Sequence, residues 1–190
     1  MATTSFKPTR AQAWELLTQY TQSESLLKHA LAVEACMVAY AKKYGGDAEQ
    51  WAVAGLLHDM DYEQHPDMDE HPFVAAQILT DAGYPQEIIA AVLGHADHAD
   101  TPRTTKMAQV LYAVDELSGF ITAVALVRPS KKVAEVKYSS VKKKMKDKAF
   151  ARACNREEML KGAEELGVPF DEHVTFCIQA MAARAEELGL

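Results

Sequence analysis

A short apolar segment that ends in a His-Asp pair is the feature that most constrains this chain. Residues 55–57 are Gly-Leu-Leu, His58 and Asp59 follow at once, and Asp61 comes two residues later. An apolar run of this kind predicts a helix that is buried up to its last turn. Imidazole and carboxylate groups are both ligands for divalent metals. The segment therefore predicts a metal site at the end of a buried helix.

Apolar residues recur at helical spacing along most of the chain, and the alternation typical of β-strands is missing. Capping residues and glycine or proline breaks predict where each helix begins and ends. They predict helices over about residues 10–20, 24–44, 48–59, 71–83, 86–95, 105–127 and 171–188, and one that follows Asn155. We interpret Glu34 as a position on a solvated helix face. The predicted fold is all-α, a compact single-domain helical bundle over residues 1–190.

Composition narrows the class of protein. A chain of 190 residues can bury a sizeable core without disulfides. Its three cysteines are widely spaced and form no C-x-x-C motif, which argues against a disulfide framework or a Cys-rich zinc site. The formal net charge of −7 argues against general binding to nucleic acid or to anionic membranes. No signal peptide and no apolar run of membrane-spanning length is recognised, so a cytoplasmic location is predicted.

Further histidines and one aspartate lie in or beside apolar helical segments. Asp115 interrupts an apolar run, where an unpaired buried carboxylate would be costly, and a metal ion would remove that cost. His71 has an alternative interpretation as a first-turn residue beside Pro72, and His98 competes with His95. These donor types suit one or two divalent ions of Fe, Mn, Co, Ni, Zn or Mg. The candidate metal ligands are His29, His58, Asp59, His71, His95 and Asp115.

The order of these residues resembles the HD-domain superfamily of metal-dependent phosphohydrolases. Residues 55–59 are similar to the central motif of that family. Residues 71–79, His-Pro-Phe-Val-Ala-Ala-Gln-Ile-Leu, resemble a segment of its HDIG-type branch, and residues 88–95 resemble the segment that carries the next histidine. In dinuclear members the extra histidines bind a second ion. The resemblance covers about residues 26–120, whereas the basic helical extension over about 128–190 looks like the distinguishing part of a bacterial subgroup.

The resemblance implies an enzyme that hydrolyses a phosphate mono- or diester, nucleotide-like, through a metal-activated water. Asp61 and His98 are the candidates to move the proton. Arg128, Lys131 and Lys132 are candidates to bind a small anionic substrate that contains phosphate. We expect neither a nucleic acid nor a membrane as partner. Two alternatives stay open: a di-iron oxygenase of the same fold, and a non-catalytic domain that binds a nucleotide or a partner.

Overall fold

The computed structural model describes residues 6–190, and these fold into helices joined by short loops, with no strand among them. The all-α prediction is confirmed. Short 3-10 turns occur at Asp97–Ala99 and Val133–Glu135. The helices are α1 (Arg10–Tyr20), α2 (Glu24–Tyr44), α3 (Ala48–Leu57), α4 (Phe73–Asp81), α5 (Gln86–Gly94), α6 (Lys106–Leu126), α7 (Tyr138–Met145), α8 (Arg156–Leu166), α9 (Phe170–Ala182) and α10 (Ala185–Leu188).

Local side-chain chemistry sets several helix ends where the sequence predicts them. Thr9 and Gln12 form a reciprocal capping box at the start of α1. Asp47 caps α3 and Asn155 caps α8, each by accepting two backbone N–H bonds. Gly45 ends α2 in the left-handed conformation, with φ of 71°, which glycine adopts without strain.

The C-terminal part and Glu34 differ from expectation. The single helix predicted over 171–188 is wrong, because Arg184 leaves helical geometry and separates α9 from α10. Glu34 is also not solvated: its side chain is buried, 2.5 Å from Arg10 and 3.1 Å from Arg184. The α2 carboxylate thus holds α1 and the segment between α9 and α10 together, a long-range arrangement that the helical pattern of α2 does not show.

α6 is the central helix of the core. By length and composition it could cross a membrane, but 61% of its apolar window is buried inside the protein. It packs against α2, α5 and α8. At Gly162 of α8, an added Cβ would lie 2.6 Å from the Cα of Ala113, so the two helices meet almost backbone to backbone. This close contact brings the start of α8 beside the middle of α6.

A second close contact joins α2 and α3. An added Cβ at Gly55 would lie 3.0 Å from the Cα of Glu34. Because α3 lies so near α2, the end of α3 approaches the side of α2. His58, the residue that follows α3, therefore meets His29, which α2 carries.

Candidate metal centre

Three helices bring four metal-donor side chains together. His29 comes from α2, His58 and Asp59 follow α3, and Asp115 lies in the middle of α6. The Nε2 atom of His29 lies 3.0 Å from Oδ1 of Asp115 and 3.2 Å from Nε2 of His58. Nε2 of His58 lies 3.3 Å from Oδ2 of Asp59 and 3.3 Å from Oδ1 of Asp115. Four donor atoms thus surround one small volume, as a bound cation requires.

A second group of donors shares Asp59 with the first. Oδ1 of Asp59 lies 3.2 Å from Nε2 of His95 and 3.4 Å from Nε2 of His71, and these two nitrogens are 3.2 Å apart. The other oxygen of Asp59, Oδ2, faces His29 and His58 at 3.6 and 3.3 Å. Each oxygen of one carboxylate therefore serves a different cluster, which is how a carboxylate bridges two metal ions.

Hydrogen bonds on the far side of the rings fix three of the imidazoles. The Nδ1–H of His58 donates to the carbonyl of Gly55 at 2.8 Å, and that of His95 donates to the carbonyl of Val92. The Nδ1–H of His71 donates to Oδ1 of Asp61 at 2.7 Å. With the proton held on Nδ1, the lone pair of Nε2 points into the cluster, and such partners are typical of metal-binding histidines.

The electrostatics of the cluster also favour a cation. Burial alone would lower the pKa of His58, yet the charges of Asp59 and Asp115 raise it well above its usual value. Burial would likewise raise the pKa of Asp59, but His58 and His95 hold it well below its usual range. Asp115 is affected in the same direction. The carboxylates thus stay ionised in a buried site and attract positive charge.

The donor set fits one or two divalent ions. The Nε2 atoms of His71 and His95, whose Nδ1 protons are both held by acceptors, face each other at 3.2 Å, and two lone pairs at that distance repel unless a positive charge lies between them. Nitrogen and carboxylate donors are suited to first-row transition metals and, less well, to Mg²⁺. Among the described residues, the two clusters are His29, His58, Asp59 and Asp115, and then Asp59, His71 and His95.

Comparison with known proteins agrees with this geometry. Residues 26–119 match the family described as HD domain, and all six candidate ligands lie within them. The chain belongs to the HD-domain superfamily. Relatives include proteins named ribonuclease Y from Nitratidesulfovibrio vulgaris strain DP4, 34% identical over 98 residues, and Oleidesulfovibrio alaskensis, 31% identical over 98 residues. Each match covers 51% of this chain but only 18% of the relative. No solved structure matches significantly.

Asp61 and His98, the predicted proton carriers of this HD domain, have different surroundings. Asp61 is fully buried, and its two oxygens accept hydrogen bonds from Nδ1 of His71 at 2.7 Å and from the backbone of Ala75 at 2.8 Å. It does not line the cavity above the metal centre, so its placement argues for positioning His71 instead of proton transfer. His98 does line that cavity, and its Nε2–H donates to the carbonyl of His71 at 2.7 Å.

The structure does not bring Arg128, Lys131 and Lys132 to the cavity. α6 continues past Asp115 to Leu126, which places Arg128 about 20 Å further along the helix. Arg128 lies 3.7 Å from Glu135, and none of the three cations lines the cavity. The structure therefore does not support the prediction that they hold the substrate, which treated nearness in sequence as nearness in space.

The cavity is also lined by residues that the sequence analysis did not predict. The cavity has a volume of about 580 Å³. Burial and the charge of Asp115 raise the pKa of Glu116 to about 7, and burial and Asp97 raise that of Glu158. Glu116 could have been suspected, since it follows a predicted ligand, but the rest depend on long-range packing and leave no local signal. The missed residues include Tyr62, Met68, Asp97, Glu116, Cys154 and Glu158.

Proposed function

We propose that this protein is a metal-dependent phosphohydrolase that acts on a phosphate mono- or diester, nucleotide-like. The observation that carries this proposal is the shared Asp59. It joins two clusters of imidazole and carboxylate donors inside an HD domain, and both clusters open onto the same cavity. The family is associated with metal-dependent hydrolysis of phosphate esters, and the relatives named ribonuclease Y carry names that denote phosphodiester cleavage.

The residues would divide the work as follows. Divalent ions held by the two clusters would lower the pKa of a bound water toward neutrality and offset charge on the phosphoryl oxygens. His29, His58 and Asp115 would hold one side of the centre, and His71 and His95 the other. His98, which lines the cavity beside His71, would exchange a proton with the departing oxygen.

The cavity supports a small substrate. Among the described residues, no lysine or arginine lines it, so the phosphate charge must be met at the metal centre itself. The net charge of −7 also favours a small ester over a polymer. We propose accordingly that the substrate is a small phosphate ester in the cytoplasm and that neither a nucleic acid nor a membrane is a partner.

Metal content and product release test this proposal together. We expect parent protein purified without chelator to hold about two equivalents of divalent metal and the His71→Ala variant about one. His65→Ala is the matched control, since His65 is partly exposed, pairs with Glu70 and lies in neither cluster.

Metal-loaded parent protein should then release phosphate from some members of a panel of monoesters, or cleave diesters that include a short oligoribonucleotide. A fully loaded protein that cleaves no ester in such a panel would refute the hydrolase proposal. Absence of metal after reloading would refute the site itself and would favour a non-catalytic binding domain.

One observation favours a second function. A carboxylate between two sets of imidazoles also suits two iron ions, and nitrogen and oxygen donors of this kind support oxygen chemistry. An HD-fold di-iron oxygenase would contain iron as purified and would consume oxygen with a substrate while releasing no phosphate. A hydrolase would release its product at the same rate with and without oxygen.

A further inference from the structure

Three large apolar side chains are exposed at one edge of the metal cavity. Tyr62, Met68 and Phe73 are 43%, 64% and 41% exposed, and all three come from the segment between α3 and the first turn of α4. Single exposed apolar residues are ordinary, but several at the rim of a site mark a surface for a ligand. We name these three residues the apolar lip.

The apolar lip lies directly beside the metal centre. Tyr62 and Met68 line the cavity. The ring of Tyr62 is 5.3 Å from that of His71, and the ring of Phe73 is 6.3 Å from that of His98, measured between centroids. A planar apolar group attached to a phosphate at the metal centre would therefore reach the lip within the length of a sugar.

Carboxylates flank the other side of the centre. Glu116 follows the candidate ligand Asp115, and Glu158 lies in the first turn of α8. Glu116 accepts a bond from the backbone of Asn155, and Glu158 accepts one from the side chain of the same residue. Within residues 6–190, neither carboxylate pairs with a lysine or arginine. Additional phosphates placed there would gain no ion pair, because no lysine or arginine among the described residues lines the cavity, and the Glu158 carboxylate would repel them.

We propose that the apolar lip binds the base of a nucleoside monophosphate whose single phosphate lies at the metal centre. This inference rests on the proposed function and names its substrate class. Aromatic side chains stack on any base, because every base has a π-face, and the methionine thioether adapts to a flat ring. The cavity volume of about 580 Å³ is in the range of small-ligand sites. A phosphorylated sugar would leave the lip bare, and a nucleoside triphosphate would meet the carboxylates.

Equilibrium binding to the metal-loaded full chain tests the inference. The probes are adenosine 5′-monophosphate, ribose 5-phosphate and adenosine 5′-triphosphate, each used as its non-hydrolysable phosphonate analogue, and binding is measured by calorimetry. We expect the monophosphate to bind about tenfold more tightly than ribose 5-phosphate, the effect of one base stacked on an aromatic ring. We expect the triphosphate to bind more weakly than the monophosphate, with Glu158→Gln reducing that difference.

Variants of the lip separate stacking from general damage. Tyr62→Ser should bring the affinity for adenosine 5′-monophosphate close to that for ribose 5-phosphate, Tyr62→Phe should keep the parent value, and Met68→Ala should fall between them. Leu160→Ala is the control, because Leu160 is 49% exposed but does not line the cavity. Metal content is measured for each variant, since Tyr62 packs against His71.

Equal binding of adenosine 5′-monophosphate and ribose 5-phosphate by the parent would overturn the inference, and so would an unchanged Tyr62→Ser variant or tightest binding of the triphosphate. The proposed function fails separately. Ester cleavage without preference for a base would support the hydrolase proposal and refute base binding by the apolar lip. Binding of the monophosphate that depends on Tyr62, without cleavage of any ester, would support base binding by the apolar lip and refute the hydrolase proposal.

Discussion

The Asp61→Asn substitution should weaken metal binding at one cluster and leave the other intact. Asp61 accepts two hydrogen bonds in a fully buried position, one from Nδ1–H of His71 at 2.7 Å and one from N–H of Ala75 at 2.8 Å. An amide has only one oxygen, so asparagine can accept only one of the two, and its NH₂ group must face the other donor.

Both orientations of the asparagine have a cost. If its oxygen faces Ala75, its NH₂ faces His71, the ring proton moves to Nε2, and the atom that should bind the metal becomes a donor. If its oxygen faces His71, the buried N–H of Ala75 loses its partner, at a cost of about 1–3 kcal/mol. Loss of a carboxylate behind a metal-binding histidine weakens binding by about 10- to 100-fold, equivalent to about 1.4–2.8 kcal/mol.

Calorimetric titration of metal-free protein with a divalent ion measures this effect. We expect the parent to show two binding events and Asp61→Asn to show one of parent strength and one that is weaker by the factor above. The matched control is Asp81→Asn, because Asp81 is exposed on α4 and, among residues 6–190, its side chain bonds only to that of Gln77. Two unchanged events in Asp61→Asn, or equal weakening of both, would refute the assignment of Asp61 to His71.

Three further predictions concern stability. Gly162→Ala should lower the free energy of unfolding by about 1–3 kcal/mol, because the added Cβ overpacks against Ala113. Gly119→Ala, whose added Cβ meets nothing nearer than 3.7 Å, should raise the free energy of unfolding by about 0.5 kcal/mol or leave it unchanged. Urea denaturation of metal-free protein compares the two variants. Glu34→Gln should lower the same quantity by about 1–3 kcal/mol, since its two arginine partners remain and are partly solvated; a urea midpoint like that of the parent would contradict this. Burial holds the pKa of His173 below its usual value of 6.5. As the pH drops below that value, the unfolded chain takes up a proton at His173 before the folded chain does, so the stability should fall. The stability of His173→Gln should fall less steeply with pH than that of the parent, measured by thermal unfolding across the acid range.

The sequence predicted the parts of this structure that depend on local chemistry. The caps at Thr9, Asp47 and Asn155 act on N–H groups two or three residues away, so their effect is visible in a short segment. The ligands were recognisable because metal donors are rare in apolar helices. Glu34 and Arg128 were misjudged for the opposite reason: their partners and distances depend on how helices cross, which no local pattern records.

The ring orientations of the cluster histidines also show what a local sequence pattern can and cannot predict. His58 and His95 each bond to the carbonyl three residues earlier, so their orientation is a property of one helix end. His71 depends on Asp61, ten residues away across a loop. The residue types near His58 indicated that Asp61 mattered, but only the folded loop shows that both of its oxygens are occupied.

The close contact between α6 and α8 affects which parts of the cavity this chain has in common with its relatives. All six candidate ligands lie within residues 26–119, where the chain matches the HD domain. Ala153, Cys154 and Glu158, which line the same cavity, come from outside that range. The candidate metal ligands and these three cavity-lining residues thus come from separate stretches of the chain. A protein that matches only the first stretch can share the six candidate ligands without these three lining residues, and the close approach at Gly162 is what lets the second stretch face the first.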